Sequence, residues 1–424
     1  MNYSTTEFLA KFAYSDEPRK LVDELGSSFI SSEERLGYFV EVCDMALRKD
    51  RLQFGKIINL VCMFLVSRGD IDAAQSVAFR YQNSDLAVIP LNQSQIMFRR
   101  GDIGSAVGFA RSIQIKCNWS ASMVSNLLLT YHDWGFLEEV LGKIEKYARP
   151  EISHEISNKF QIFTKHNFID KSNASVPIFC INLDRDKHRF SGLEQLYAKN
   201  LCKTQRLPGI LGSSVPYLMR KSVFRSQLPP NSIGCWTSQI RALERVVESG
   251  EDYGLIIEDD GLPAFQFSFS RLLELAPKDF DICFLNDRSI PGWWLDSSKN
   301  LDLLNINQVY SDVAESVRAI GADGYLVSRS GAEKILEDLA RHGAVKHYDW
   351  QIYSYGIGGI SPDDDRHVSK IVRSIRQSSR SELRLSSYVS TIPFVVHRPM
   401  GFNARIHFSA SASASASASA NASA

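Results

Sequence analysis

Three carboxylates in a row close an apolar run at Tyr253-Gly254-Leu255-Ile256-Ile257-Glu258-Asp259-Asp260. Residues 255–257 read as a buried strand. Three acids cannot continue into a core without partners, so they belong at the C-terminal end of that strand, where open α/β sheets place their ligand crevices. Side chains alternate along a strand, which turns Glu258 and Asp260 to one side and Asp259 to the other. Two oxygen-rich side chains on one face can hold a hard divalent cation that also grips phosphates. A solvated acidic turn is the plainer reading of the same string.

A second set of residues suits proton transfer. Asp349 stands between Tyr348 and Trp350, and Asp323 lies in the glycine-rich stretch Gly321-Ala322-Asp323-Gly324. Aromatic neighbours partly desolvate a carboxylate, which raises its pKa toward that of a working base. Asp323 reads equally as a turn residue, and Asp349 equally as a helix N-cap. Aromatic context favours Asp349.

These residues need elements to hold them. At 424 residues two domains are expected. Residues 1–170 read as successive helices, with apolar residues three and four apart at Leu36, Phe39, Val40, Cys43, Ala46 and Leu47. A partial repeat runs through them: Arg68-Gly69-Asp70-Ile71 returns 32 residues later as Arg100-Gly101-Asp102-Ile103, with an echo at Asp133-Trp134-Gly135. In each clear copy the Asp can cap the following helix. Stacked helix pairs of the tetratricopeptide kind have such a period. They would offer a docking surface for a protein partner or a second copy, or else serve as a plain helical domain. The polar stretch 170–175 reads as a linker.

An α/β domain is expected over 176–408. Its first strand, 176–183, runs into Asp184-Arg185-Asp186-Lys187-His188-Arg189, where Arg185 and Arg189 are spaced to reach phosphates or to face solvent. A helix from Ser232 stops at Gly250 and feeds the acid-tipped strand. Strands at 280–286 and 324–327 and a helix at 331–339 follow, which indicates alternating elements on a mostly parallel sheet. Lys370, Arg373, Arg376, Arg380 and Arg384 recur at helical spacing, a basic face for anionic lipid or another anionic ligand, or a solvated one. Residues 392–396 read as a last strand. The Ser/Ala stretch 409–424 is low in complexity and is expected to be a flexible tail.

The bulk composition narrows the class. Lys plus Arg and Asp plus Glu each number 48, so no basic excess argues for nucleic acid. The seven cysteines show no CxxC pairing and read as small buried residues of a reducing compartment. Residues 1–20 carry acids and no continuous apolar core, unlike a signal peptide, and no run has the length of a membrane span. A cytoplasmic protein is expected, with peripheral contact at the inner face of a membrane through the basic helix.

Taken in order, the motifs of 176–375 resemble glycosyltransferase family 25, the lipopolysaccharide and procollagen-type galactosyltransferases. The matching residues are Asn182 to Arg185 with Arg189, then Gly234, Cys235 and Ser238, then Glu258-Asp259-Asp260, then Gly321 to Tyr325, Asp349 and Ser369. Gln239 departs from the pattern, standing where the family has His. The resemblance implies a GT-A fold and a UDP-sugar donor held by Asn182, Asp184, Arg185, Arg189, Ser238, Glu258 and Asp259. It implies Mn²⁺ or Mg²⁺ on Asp260 and Glu258, and inverting transfer of a hexose, galactose first, to a saccharide or glycolipid acceptor with Asp349 or Asp323 as base. Two other classes stay open: a helical scaffold with a degenerate, binding-only transferase domain, and an acidic-motif hydrolase, for which no second acid or His cluster is visible. The absence of a P-loop disfavours a kinase or NTPase.

Overall fold

A computed structural model describes residues 4–29, 31–167, 176–199, 203–216, 223–224, 228–289, 300–307, 321–357 and 381–397. The expected linker at 170–175, Ser369, the basic positions Lys370, Arg373, Arg376 and Arg380, and the Ser/Ala tail lie outside these residues. The chain forms two compact units, Met1–Leu127 and Leu128–Arg398.

The first unit holds α1 (Thr5–Ala13), α2 (Pro18–Ser28), α3 (Ser32–Lys49), α4 (Arg51–Ser67), α5 (Ile71–Arg80), α6 (Val88–Arg99) and α7 (Ile103–Ser112). The next helix, α8 (Asn118–Tyr131), carries the chain across the division. No strand occurs among the described residues 4–167. The starts of α1, α3 and α4 are capped by Ser4, Ser31 and Asp50, whose side chains accept orphan backbone N–H groups. Edge-on aromatic pairs fill the core, Phe39 on Phe64 at 5.6 Å and Phe54 on Tyr81 at 5.0 Å.

The sequence repeat is a repeat of one helix turn. Gly69 and Gly101 hold φ of 79° and 80° after α4 and α6. The next N–H reaches back six residues inclusively in each case, Asp70 to the Leu65 carbonyl at 2.9 Å and Asp102 to Met97 at 3.0 Å, a Schellman closure. Asp70 and Asp102 then cap α5 and α7. The echo repeats the backbone geometry, with Asp133 N on the Leu128 carbonyl at 2.9 Å, but His132 takes the left-handed position at φ 58°. That conformation costs a non-glycine residue about 1–2 kcal/mol. His132 offsets it by stacking on Trp134 and by a 2.9 Å hydrogen bond between Nε2 and the Pro263 carbonyl.

In the second unit α9 (Trp134–Tyr147) and α10 (Pro150–His166) precede the sheet. The helical pattern breaks near 170, but the compact units part at 127/128, and packing explains why. Phe163 of α10 lies against both Trp134 and Phe265, which ties the last helices to the α/β layer.

The strands are β1 (Ile178–Asn182), β2 (Thr204–Pro208), β3 (Tyr253–Glu258), β4 (Gly261–Pro263), β5 (Ile282–Phe284), β6 (Leu303–Asn305), β7 (Gly324–Ser328), β8 (Ser387–Ser390) and β9 (Val395–His397). The helices between them are α11 (His188–Ala198), α12 (Pro230–Ser249), α13 (Phe269–Leu275), α14 (Arg329–His342) and α15 (Tyr348–Gly356). Seven strands form one sheet in the order β2-β1-β3-β7-β5-β8-β6, and β4 and β9 form a separate ribbon.

The sheet is mixed, which corrects the expectation of a mostly parallel one. β1 runs parallel to β2 and β3, and β5 parallel to β8, but β7 is antiparallel to β3 and β5, and β6 to β8. Parallel pairing needs a crossover back to the same edge, and α11 and α12 supply it only around β1. The inverted β7 has a chemical consequence: its N-terminal end meets the C-terminal ends of β3 and β5. Leu255, Ile256 and Ile257 are fully buried at the centre, each worth about 1.5–3 kcal/mol of apolar burial. Arg384, expected on a basic helix, lies in chain that is neither helix nor strand.

Candidate active site at the carboxyl edge of the sheet

Five sheet elements and two helices deliver side chains to one edge. β3 brings Glu258, Asp259 and Asp260. The start of β7 brings Asp323, because the Ile257–Gly324 register sets the Asp323 carbonyl 3.2 Å from the Glu258 N–H. β5 leads into Asn286, Asp287 and Arg288. The β4–β9 ribbon pairs Gly261 with His397 and so lays His397 beside Asp260. Asn182 ends β1, Gln239 projects from α12, and Asp349 stands in the first turn of α15.

The alternation of the three acids separates them into two environments. Asp259 faces β1: Asn182 Nδ2 donates to Oδ2 at 2.8 Å, and Arg189 Nη1 donates to Oδ1. Asn182 is itself locked, donating to the Asp186 carbonyl at 2.9 Å and accepting from Arg206 Nε at 2.6 Å. Burial raises the Asp259 pKa to about 6, with Arg189 opposing it. Thus Asn182, Arg189 and Asp259, expected to meet the donor, are engaged with one another. Arg185 is mostly exposed beside Asp186, and Asp184 accepts from Arg206 at 2.6 Å with its side chain in solvent. Ser238 is buried, accepting from the Ile210 N–H at 2.8 Å and donating to the Gly234 carbonyl at 2.7 Å. Its hydroxyl fastens the loop after β2 to α12 and is not presented to a ligand.

On the other side acids accumulate. Asp323 is wholly buried. Arg288 donates to its Oδ1 from Nη2 at 2.7 Å and from Nε at 3.1 Å, and His397 Nδ1 lies 3.4 Å from its Oδ2. Burial works against the Asp323 anion, but His397 and Arg288 outweigh it and hold the pKa below the usual range. His397 also lies 3.6 Å from Asp260 Oδ2. Burial disfavours its charge, yet the carboxylates of Asp260 and Asp323 raise its pKa to about 10, making it an imidazolium at neutral pH. Asp287 accepts from the His397 N–H at 2.9 Å and so fixes the end of β9.

Glu258 is the outlier. Burial, then Asp260, Asp349 and Asp323 in turn, push its pKa well above the ordinary value. Gln239 steadies it: Nε2 donates to Glu258 at 3.2 Å, while Oε1 accepts from the Tyr325 hydroxyl at 2.8 Å, which meets the Tyr348 hydroxyl at 2.6 Å. Gln239 therefore supplies a hydrogen bond to Glu258 without a titrating group. Gly321 allows the close approach that places Arg288, since a Cβ there would fall 2.2 Å from the guanidinium.

Asp349, like Glu258 and Asp260, is half-buried, whereas Asp323 is fully buried. Asp349 is the second residue of α15, and His347 occupies the N-cap, so the N-cap reading of Asp349 is replaced. Burial raises its pKa to about 6, with Arg288 opposing. Of the two base candidates, Asp323 is inaccessible and ion-paired, whereas Asp349 keeps partial exposure and a raised pKa.

Among the described residues no three His, Cys, Asp or Glu side chains are placed to enclose a metal ion. The donors present suit an ion completed from elsewhere. Asp260 Oδ1 is buried with no hydrogen-bond partner among the described residues, and Glu258 ends the strand two residues before it. A hard cation held by one or two carboxylates draws its remaining oxygens from phosphates and water.

Sequence reading missed Arg288, Asp287 and His397. A signal existed: the β5 strand runs into Asn286-Asp287-Arg288, echoing Asn182-Leu183-Asp184-Arg185 after β1. Among the described residues no helix is long and apolar enough to cross a membrane. No family model and no curated protein matches the chain, so the site's geometry carries the functional argument.

Proposed function

We propose that the second unit is a GT-A-like, metal-dependent glycosyltransferase that moves a hexose, most simply galactose from UDP-galactose, to a saccharide or glycolipid acceptor with inversion. The observation that carries this reading is the acid-rich face of Glu258 and Asp260, with the half-buried Asp349 on the same face. An all-parallel half-sheet, β2-β1-β3, leading to that face supports it.

Mn²⁺ or Mg²⁺, held by Asp260 and Glu258, would act as a Lewis acid on the charge of the departing diphosphate. The chain's own residues do the rest. Gln239 fixes the Glu258 carboxyl. Arg288 and His397, anchored on the buried Asp323, balance part of the charge. Asp349 takes the proton of the acceptor hydroxyl. A base with a pKa of about 6 is ionised at neutral pH and still basic enough to accept a proton. The helical repeats are proposed as a docking surface for a protein partner or a second copy.

A second reading, a transferase domain that binds but does not turn over, is favoured by the imidazolium of His397 beside Asp260, which already offsets the charge a cation would meet. One experiment separates the two. Purified protein is screened against a panel of nucleotide sugars with and without Mn²⁺, reading thermal shift and nucleotide release. Metal-dependent binding with release to an acceptor supports the transferase, binding without release supports the second reading, and no binding to any nucleotide sugar rejects both.

A further inference from the structure

A small cavity lies away from the acid cluster, where α10 ends against the loops flanking the β4–β9 ribbon. Its volume is about 30 Å³, enough for a water molecule or one oxygen of a larger group. Phe267 and Phe394, ring to ring at 5.1 Å, form its apolar wall. Two buried polar atoms at this cavity, His166 Nε2 and Ser268 Oγ, have no hydrogen-bond partner among the described residues. Ser268 is 3% exposed, and although it precedes α13 its side chain makes no capping bond there. Native proteins rarely leave such atoms unsatisfied, and an ion or water is the usual reason when they do.

The charges around the cavity are of one sign. Lys165 and Arg271 are the charged side chains of the lining, and no carboxylate is among the described lining residues. The field registers on His166: burial first, then Lys165 and Arg271, press its pKa down to about 4. The ring is therefore neutral at pH 7 and carries one N–H. A neutral N–H, a hydroxyl and two flexible cations around a gap of one oxygen form a donor set for an anion.

We propose that this cavity binds a phosphate-class oxyanion, with one oxygen seated between Ser268 Oγ and His166 Nε2 and with Lys165 and Arg271 over the remainder. Free phosphate and the phosphate of a lipid headgroup share this chemistry. The site does not depend on the transferase reading. Phe394 leads directly into β9, the strand that carries His397 to Asp260.

The test uses the full chain in a zwitterionic buffer free of oxyanions. Inorganic phosphate is titrated against sodium chloride at matched ionic strength, with melting temperature as readout. The wild type is expected to show a saturable rise beyond the chloride control. Arg271→Gln, at an exposed position, and Ser268→Ala, which removes only an unpartnered hydroxyl, should keep the native circular dichroism. Each should weaken apparent phosphate affinity about tenfold or more, the scale of one lost charge-assisted hydrogen bond. Co-sedimentation with phosphatidic acid vesicles, against phosphatidylcholine controls, separates the sources. Binding lost in Arg271→Gln assigns a lipid headgroup, and a phosphate response without vesicle binding assigns free phosphate. A wild-type response no larger than that to chloride, or an equal response in both variants, overturns the proposal and leaves a trapped water as the occupant.

Discussion

Asp259 and Asp260 are adjacent, and their carboxylates are balanced in different ways. Asp259 receives Asn182 and Arg189, and Asn182 is held in turn by the Asp186 carbonyl and by Arg206 of β2. Across the strand, Glu258, Asp260, Asp323 and Asp349 share Arg288 and His397, so described acids outnumber described cations. Where charge is matched, the acids serve the fold. Where it is not, burial and three neighbouring carboxylates together push Glu258 well above its ordinary range, and Asp260 Oδ1 is buried with no hydrogen-bond partner among the described residues. Uncompensated charge at a sheet edge marks the face with work to do.

The largest effects should come from breaking the matched side. Arg189→Met strands Asp259 in a largely buried position, and a loss of about 3 kcal/mol is expected, at the lower end for a broken buried pair. Urea unfolding measures it. Glu258→Gln, on the unmatched side, should be neutral or stabilising, because it removes a carboxylate repelled by three others. If both variants lose the same stability, the contrast between the faces is false.

Asp349→Asn should come next, lowering turnover by about two orders of magnitude while donor affinity holds. Asp323→Asn should instead destabilise the fold, since it leaves Arg288 and His397 without their shared anchor. A turnover defect in Asp323→Asn with unchanged stability would reverse the two roles.

The pH dependence sharpens the same point. Burial raises Asp349 from an ordinary 3.8 to about 6, so the native state holds this proton more tightly than the unfolded chain does. Its contribution to stability is full below about pH 4 and is lost as pH rises through 6. Activity should run the opposite way, rising through pH 6 as the base ionises. Both limbs should vanish in Asp349→Asn.

Smaller effects are expected at two residues that the family resemblance assigns to the donor, Ser238, which is bonded into the scaffold, and Arg185, which stands exposed. Ser238→Ala should cost about 1 kcal/mol by leaving the Ile210 N–H without its acceptor. Arg185→Ala, at an exposed side chain, should change stability by less than about 0.5 kcal/mol. A large loss of donor affinity in Arg185→Ala would return that residue to the site.

Local patterning made much of this legible in the sequence. The apolar run 255–257 and its three acids gave both a strand end and the alternation that parts Asp259 from its neighbours. The Gly-Asp turns gave the helix pairs, because a left-handed residue followed by a capping Asp is a short-range code. What stayed hidden depends on distant pairing. Nothing near Asp323 announces that β7 runs antiparallel, yet that direction brings Asp323 to Glu258. Nothing near His397 announces the β4–β9 register that lays it on Asp260. Arg189 looked free to reach a phosphate because its partner, Asp259, lies 70 residues away in the chain.

The most direct test of the account is donor binding by Asp260→Asn, with UDP-galactose and Mn²⁺ titrated together in a thermal-shift assay. The substitution keeps the side chain's shape and removes the charge that a hard cation needs. The account predicts a Mn²⁺-dependent shift in the wild type that disappears in Asp260→Asn, with the fold intact by circular dichroism. An equal, equally metal-dependent shift in both proteins would contradict it.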